Sequence, residues 1–143
     1  MSVTNGAGFG ITASHTYTES RMQGSTLQMA RTPISYTKLG FVYQPEGARF
    51  AGNVNVNRVG DTFQSVGAFG RRNVGGYVVL NLAGRVKLDA AGKHMIGFGV
   101  QNATDEEYAT RLGQIARDDG TGNFLFQRLG VPRTYNVSYT VGF

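Results

Sequence analysis

The sequence predicts an all-β chain, laid out as about six antiparallel strands of an up-and-down transmembrane barrel, with short turns and long loops in alternation. Three observations predict it. Residues 134–143 alternate without error between small or polar side chains and large apolar ones. Because strand side chains point to opposite faces with a period of two, Tyr135, Val137, Tyr139, Val141 and Phe143 share one apolar stripe. The composition is that of a β protein, with 21 Gly, 9 Phe, 7 Tyr, no Cys and no Trp, and with Val, Thr, Asn and Tyr gathered in alternating runs. Finally, the segments between strands are short and long by turns.

The strands follow in order. Phe9, Ile11, Ala13, His15 and Tyr17 alternate with Gly10, Thr12, Ser14, Thr16 and Thr18. Leu39, Phe41 and Tyr43 form the face of a second strand over 38–43. Phe50, Val54 and Val56 alternate with Asn53, Asn55 and Asn57 in a third. Val78, Leu80, Leu82, Val86 and Leu88 mark a fourth over 77–88, Ile96, Phe98 and Val100 a fifth over 95–101, and 134–143 is the sixth. Residues 44–48 and 89–93 are tight connections of turn-forming residues. The other three, 19–33, 58–75 and 103–131, far exceed the usual loop of about 4–6 residues, and they are polar, Gly-rich and Arg-rich. Strict alternation of short and long puts every long loop at one end of the sheet, the layout of outer-membrane barrels. The polar stripes carry Asn, Thr, Ser, Gly and Gln rather than Lys and Glu, which suits a wet lumen. Tyr17, Tyr43, Tyr77 and Phe143 sit near strand ends, where interfacial aromatics belong.

Composition also excludes. No apolar run reaches the roughly 18 residues of a transmembrane helix. Without Cys there is no disulfide framework and no thiolate nucleophile or metal ligand. The formal charge of +5 invites nucleic acid, but the arginines scatter among loops and no recognition element is visible, so no nucleic-acid partner is expected. His15 and His94 have no carboxylates at metal-ligand spacing, and Gly97-Phe98-Gly99 is not followed by a helix that would make it a phosphate loop. No metal, cofactor or enzymatic activity is expected.

Residues 76–84, the run Val100-Gln101-Asn102-Ala103-Thr104-Asp105-Glu106-Glu107-Tyr108, and Gly130-Val131-Pro132-Arg133 leading into the last strand together resemble the C-terminal end of TonB-dependent outer-membrane receptors, as do residues 13–21 and 30–33 upstream. The resemblance spans nearly the whole chain, residues 1–143. It implies a partial barrel of a siderophore-receptor-like protein, a fragment with no plug domain, TonB box or signal peptide in the sequence. Met1 is then either a true start or an internal residue of a longer chain.

The implied function is import of a scarce solute, such as a ferric siderophore, by the full receptor. Its implied partners are outer-membrane lipid and lipopolysaccharide, the barrel-assembly machinery, and the TonB complex through the missing N-terminal region. Asn102, Asp105, Tyr108, Pro132 and Arg133 are the structural motif. Asn102 and Asp105 are expected to bond backbone two residues on, and Arg133 to pair with a carboxylate. The terminal stripe Tyr139, Val141 and Phe143 resembles the barrel-assembly signal. Arg71, Arg72, Arg111, Arg117 and Arg128 are candidate ligand contacts on the long loops, with Arg21, Arg31 and Arg58 also in or beside them; the competing role is contact with lipopolysaccharide phosphates or solvent. Two alternatives stand beside the receptor: a self-contained oligomeric outer-membrane pore, and a soluble β-sandwich binding module.

Overall fold

The computed structural model describes residues 2–21 and 23–142. Eleven strands and one short 3₁₀ turn make up its regular structure. The principal sheet holds seven antiparallel strands in the order β1 (Ser2–Thr4), β2 (Phe9–Tyr17), β3 (Ser35–Tyr43), β4 (Phe50–Val59), β7 (Tyr77–Lys87), β8 (His94–Gln101) and β11 (Thr134–Val141). The long connections contain two further hairpins, β5 (Phe63–Ser65) with β6 (Arg71–Asn73), and β9 (Ala109–Ala116) with β10 (Asn123–Leu129).

All six expected strands are present, and three expectations change. A seventh strand, β1, pairs with Gly10–Thr12 of β2. β3 begins at Ser35 and β4 runs to Val59, because Tyr36 and Thr37 pair with Val59 and Arg58, extending the ladder past the clean alternation. The long segments are not irregular, since two of the three fold back as hairpins beyond the sheet. Phe143 of the terminal stripe lies outside the described residues.

The register explains how the apolar stripes meet. Ile11, Phe41, Val54, Leu82, Val100 and Tyr135 are successive direct partners across six strands. Directly opposed residues share a face, so each strand's apolar stripe joins its neighbour's into one continuous apolar surface. On the other face the corresponding row is Gly10, Val42, Asn53, Ala83, Gly99 and Asn136. Among the described residues the extensive contacts of each sheet strand are with its hydrogen-bonded neighbours and no second layer packs on the apolar face, so that Val137 is left 78% exposed. The sheet is a single open layer, and β1 and β11 do not pair with each other.

Near the short-turn end an aromatic row crosses the apolar face. Phe9 packs on Tyr43 (4.9 Å between centroids), Tyr43 on Phe50 (6.2 Å) and Phe50 on Phe98 (6.3 Å). Phe50 and Phe98 belong to β4 and β8, so their contact must bridge β7. Gly84 permits it, because a Cβ there would collide with the Phe98 ring. Beyond them His94 Nδ1 lies 2.7 Å from Tyr139 Oη, with the rings stacked.

Candidate functional site

At the long-loop end, β8 ends in a left-handed residue, Asn102 (φ 50°), and Asp105 repeats that conformation (φ 57°). Asn and Asp tolerate this region better than other non-glycine residues. Asn102 is almost wholly buried, at 1% exposure. Its Nδ2 donates to the carbonyls of Glu106 (2.9 Å) and Val131 (3.0 Å), and its Oδ1 accepts the Glu106 N–H (2.9 Å). Its own N–H goes to Asn81 Oδ1 at 3.0 Å. The partners therefore lie four and 29 residues on, not the expected two, because the loop returns to the same point before entering β11.

The Asp105 carboxylate accepts the Arg133 N–H (3.1 Å) and its guanidinium (3.3 Å), tying the exit of β8 to the entry of β11. Tyr108 stacks on Tyr77 with centroids 4.0 Å apart, over Gly130, where a Cβ would meet the Tyr108 ring. Pro132 is exposed just ahead of β11, its carbonyl accepting the Thr134 hydroxyl at 3.0 Å. The five motif residues thus gather at one junction. Asn81, the partner of Asn102, carries no signal in the sequence beyond its place on the polar stripe.

The three long loops interlock through side-chain amides and backbone. Arg31 N–H donates to Phe63 O (2.7 Å) and Ile34 N–H to Asp61 O (3.0 Å), joining the first loop to the second. Gln64 is buried, and its Oε1 accepts the Leu112 N–H at 3.1 Å; Gln114 Oε1 accepts the Ala68 N–H at 2.9 Å, joining the second to the third. Val66 and Leu112 are buried in this cluster, a small apolar core of its own. Neither glutamine stands in a motif or a periodic run, so nothing in the sequence marks them.

The candidate arginines divide. Arg71 donates to Gln28 O and lies over the Phe63 ring at 4.6 Å; Arg72 Nε donates to Phe69 O at 3.0 Å; Arg117 lies over Phe124 at 4.4 Å. Arg21 pairs with Glu19. Arg111 and Arg128 sit directly opposite each other on the β9–β10 hairpin.

Several concavities open along the sheet and its loops, and two of them lie beside the motif junction and the loop cluster. The larger, about 500 Å3, is lined by Tyr36, Tyr77, Tyr108, Asn57, Gln101 and Asn136, among others, and by no charged side chain. The smaller, about 290 Å3, lies among the three loops and shares Val59 and Tyr77 with the first. Among the described residues no cluster of His, Asp or Glu is placed to hold a metal, and no helix is long and apolar enough to cross a membrane.

The class defined by these features is an antiparallel, two-faced β-meander with its elaborated loops gathered at one end. Among solved structures it matches P. aeruginosa FpvA, a TonB-dependent siderophore receptor, in a complex with a heterologous pyoverdine and iron. The TM-score is 0.71 at 19% identity, covering 93% of this chain. That likeness is one of fold, and the chain spans 17% of the length of FpvA. No family model matches the chain, and no curated protein does.

Proposed function

We propose that the chain is a segment of a TonB-dependent outer-membrane receptor, a non-enzymatic transport protein whose apolar sheet face meets lipid and whose polar face lines the lumen. The observation that carries the reading is the in-register apolar face, which runs across six strands of 8 to 11 residues and has no second layer on it among the described residues. A membrane-crossing strand needs roughly 9–11 residues when tilted. In water such a face would be an aggregation liability; in hydrocarbon it is the required surface. Closure into a barrel follows from the same environment, since open sheet edges are not tolerated there.

The motif junction would hold the last strand in register, the loop cluster would face outside, and the full receptor would import a solute such as a ferric siderophore, as the likeness to FpvA suggests. Lipopolysaccharide, the barrel-assembly machinery and the TonB complex would be its partners. The soluble sandwich is disfavoured by the missing second layer.

The chain has no cysteine, so single-cysteine spin labels test the reading directly. At positions 54 and 82, and at 55 and 83, accessibility to oxygen and to a water-soluble nickel chelate is measured in bilayers. Oxygen should dominate at Val54 and Leu82 and the chelate at Asn55 and Ala83. Equal access to the chelate at all four would overturn the proposal.

A further inference from the structure

We propose that Arg31 and Arg111, with Arg128 directly across the strand pair from Arg111, form an oxyanion site that takes the phosphoryl or carboxylate group of a ligand entering the loop cluster. The assignment rests on the receptor reading only for the direction from which the ligand arrives. Three observations carry it. Arg31 and Arg111 line the 290 Å3 cavity among the three long loops, together with Thr62, Thr110 and Tyr77. No Asp or Glu lines it. Guanidinium is charged at every accessible pH, so this cavity is built positive.

Second, Arg111 and Arg128 are direct cross-strand partners. Like charges so placed destabilise a hairpin. The arrangement is an unfavourable one that a bound anion would convert into a favourable one, since two forked guanidiniums match the paired oxygens of phosphate or carboxylate. Third, the structure separates these arginines from their neighbours. Arg71, Arg72 and Arg117 are spent on carbonyls or aromatic rings, and the ion pairs among the described residues are Arg21–Glu19 and Arg133–Asp105. The guanidiniums of Arg31, Arg111 and Arg128 make no such contact among the described residues. Arg31 also holds a left-handed backbone (φ 65°), an uncommon conformation for a residue of its kind. It is fixed there by the Arg31 N–H bond to Phe63 O. At about 290 Å3 the cavity has room for a small anionic group.

The test is thermal unfolding of the full chain in lipopolysaccharide-free detergent at low salt, with inorganic phosphate, citrate or purified lipopolysaccharide added in separate arms. Wild type should be stabilised saturably by phosphate or citrate, less so at high salt. R111Q and R31Q should weaken that binding by about tenfold or more, through the loss of a charge-assisted fork. R72Q should leave it unchanged. In anion-free buffer R128Q should melt higher than wild type, because it removes the like-charge pair; a merely structural arginine would give the reverse.

An Arg111-dependent response confined to the lipopolysaccharide arm supports the site and identifies its anion as a lipid phosphate. A response in any arm that R31Q, R111Q and R128Q all retain, or no saturable response at all, overturns it. The spin-label pattern reads the membrane topology independently. A failed titration with that pattern intact therefore counts against the site alone.

Discussion

Asn102 uses both hydrogens of its carboxamide on carbonyls and its oxygen on an N–H, while itself fully enclosed. Truncating it to Ala removes three hydrogen bonds at about 1 kcal/mol each, for a loss of roughly 3 kcal/mol. Asn102→Gly would keep the left-handed turn but lose the same bonds, so it should cost nearly as much; a mild effect of Gly beside a severe one of Ala would mean that backbone conformation, not the amide, is what matters. Arg133 offers the contrast. Its pair with Asp105 is about half exposed on both sides, and such pairs contribute about 0–1 kcal/mol. Arg133→Gln should therefore shift the unfolding midpoint in detergent far less than Asn102→Ala. Both residues stand out in the sequence as part of one short motif, yet the sequence could not rank them. Burial separates them, and burial here depends on a loop that returns 29 residues later.

Between the paired strands the turns and glycines set the geometry. Asp89 caps the β7–β8 turn, its carboxylate accepting the N–H groups of His94 (2.8 Å) and Lys93 (3.2 Å). The His94 bond is the main cause that holds its pKa below the ordinary carboxylate value, against an opposing desolvation. A depressed folded-state value means the stabilisation is complete above the unfolded pKa of about 3.9 and disappears as pH falls through the folded one. The amide proton shift of His94 should accordingly titrate with a midpoint below that of a free Asp, and Asp89→Asn should flatten the curve. Gly84 makes a second element-scale prediction. Gly84→Val would push Phe98 off its seat, and overpacking of this kind costs about 1–3 kcal/mol. Combined with Phe98→Ala the two changes should be less than additive, since both remove the same ring from the same place. The strands were legible because alternation is a local signal with a period of two. The β5–β6 and β9–β10 hairpins were not: β5 and β6 are three residues each, too short to show a period. In β9 Ala109, Arg111 and Gly113 face the same way while Thr110, Leu112 and Gln114 face the other, so neither stripe is apolar. What orders them is the amide bonding between loops, which is a tertiary fact.

At the scale of the whole molecule, the question is which solvent the apolar face was built for, and one substitution pair answers it. Val137 and Ser138 are neighbours on β11, so they project to opposite faces, and both are exposed in this chain. In water, Lys at either position would be close to neutral, since exposed substitutions away from special features usually stay within about 0.5 kcal/mol. In a bilayer the two differ sharply. A lysine on the lipid face near the midplane costs about 2–4 kcal/mol, while one on the lumen face stays hydrated. Val137→Lys should therefore lower stability in bilayers by that amount, and Ser138→Lys should leave it nearly unchanged, as read from urea unfolding in lipid vesicles. Equal, small effects would mean that the face is not in hydrocarbon, and the membrane assignment would fall with them. The pair is informative because one position of register separates the two outcomes: a slip by a single residue exchanges the faces. The pairing of Val137 with Phe98 and Ser138 with Gly97 thus decides both how β11 joins the sheet and what the sheet can face.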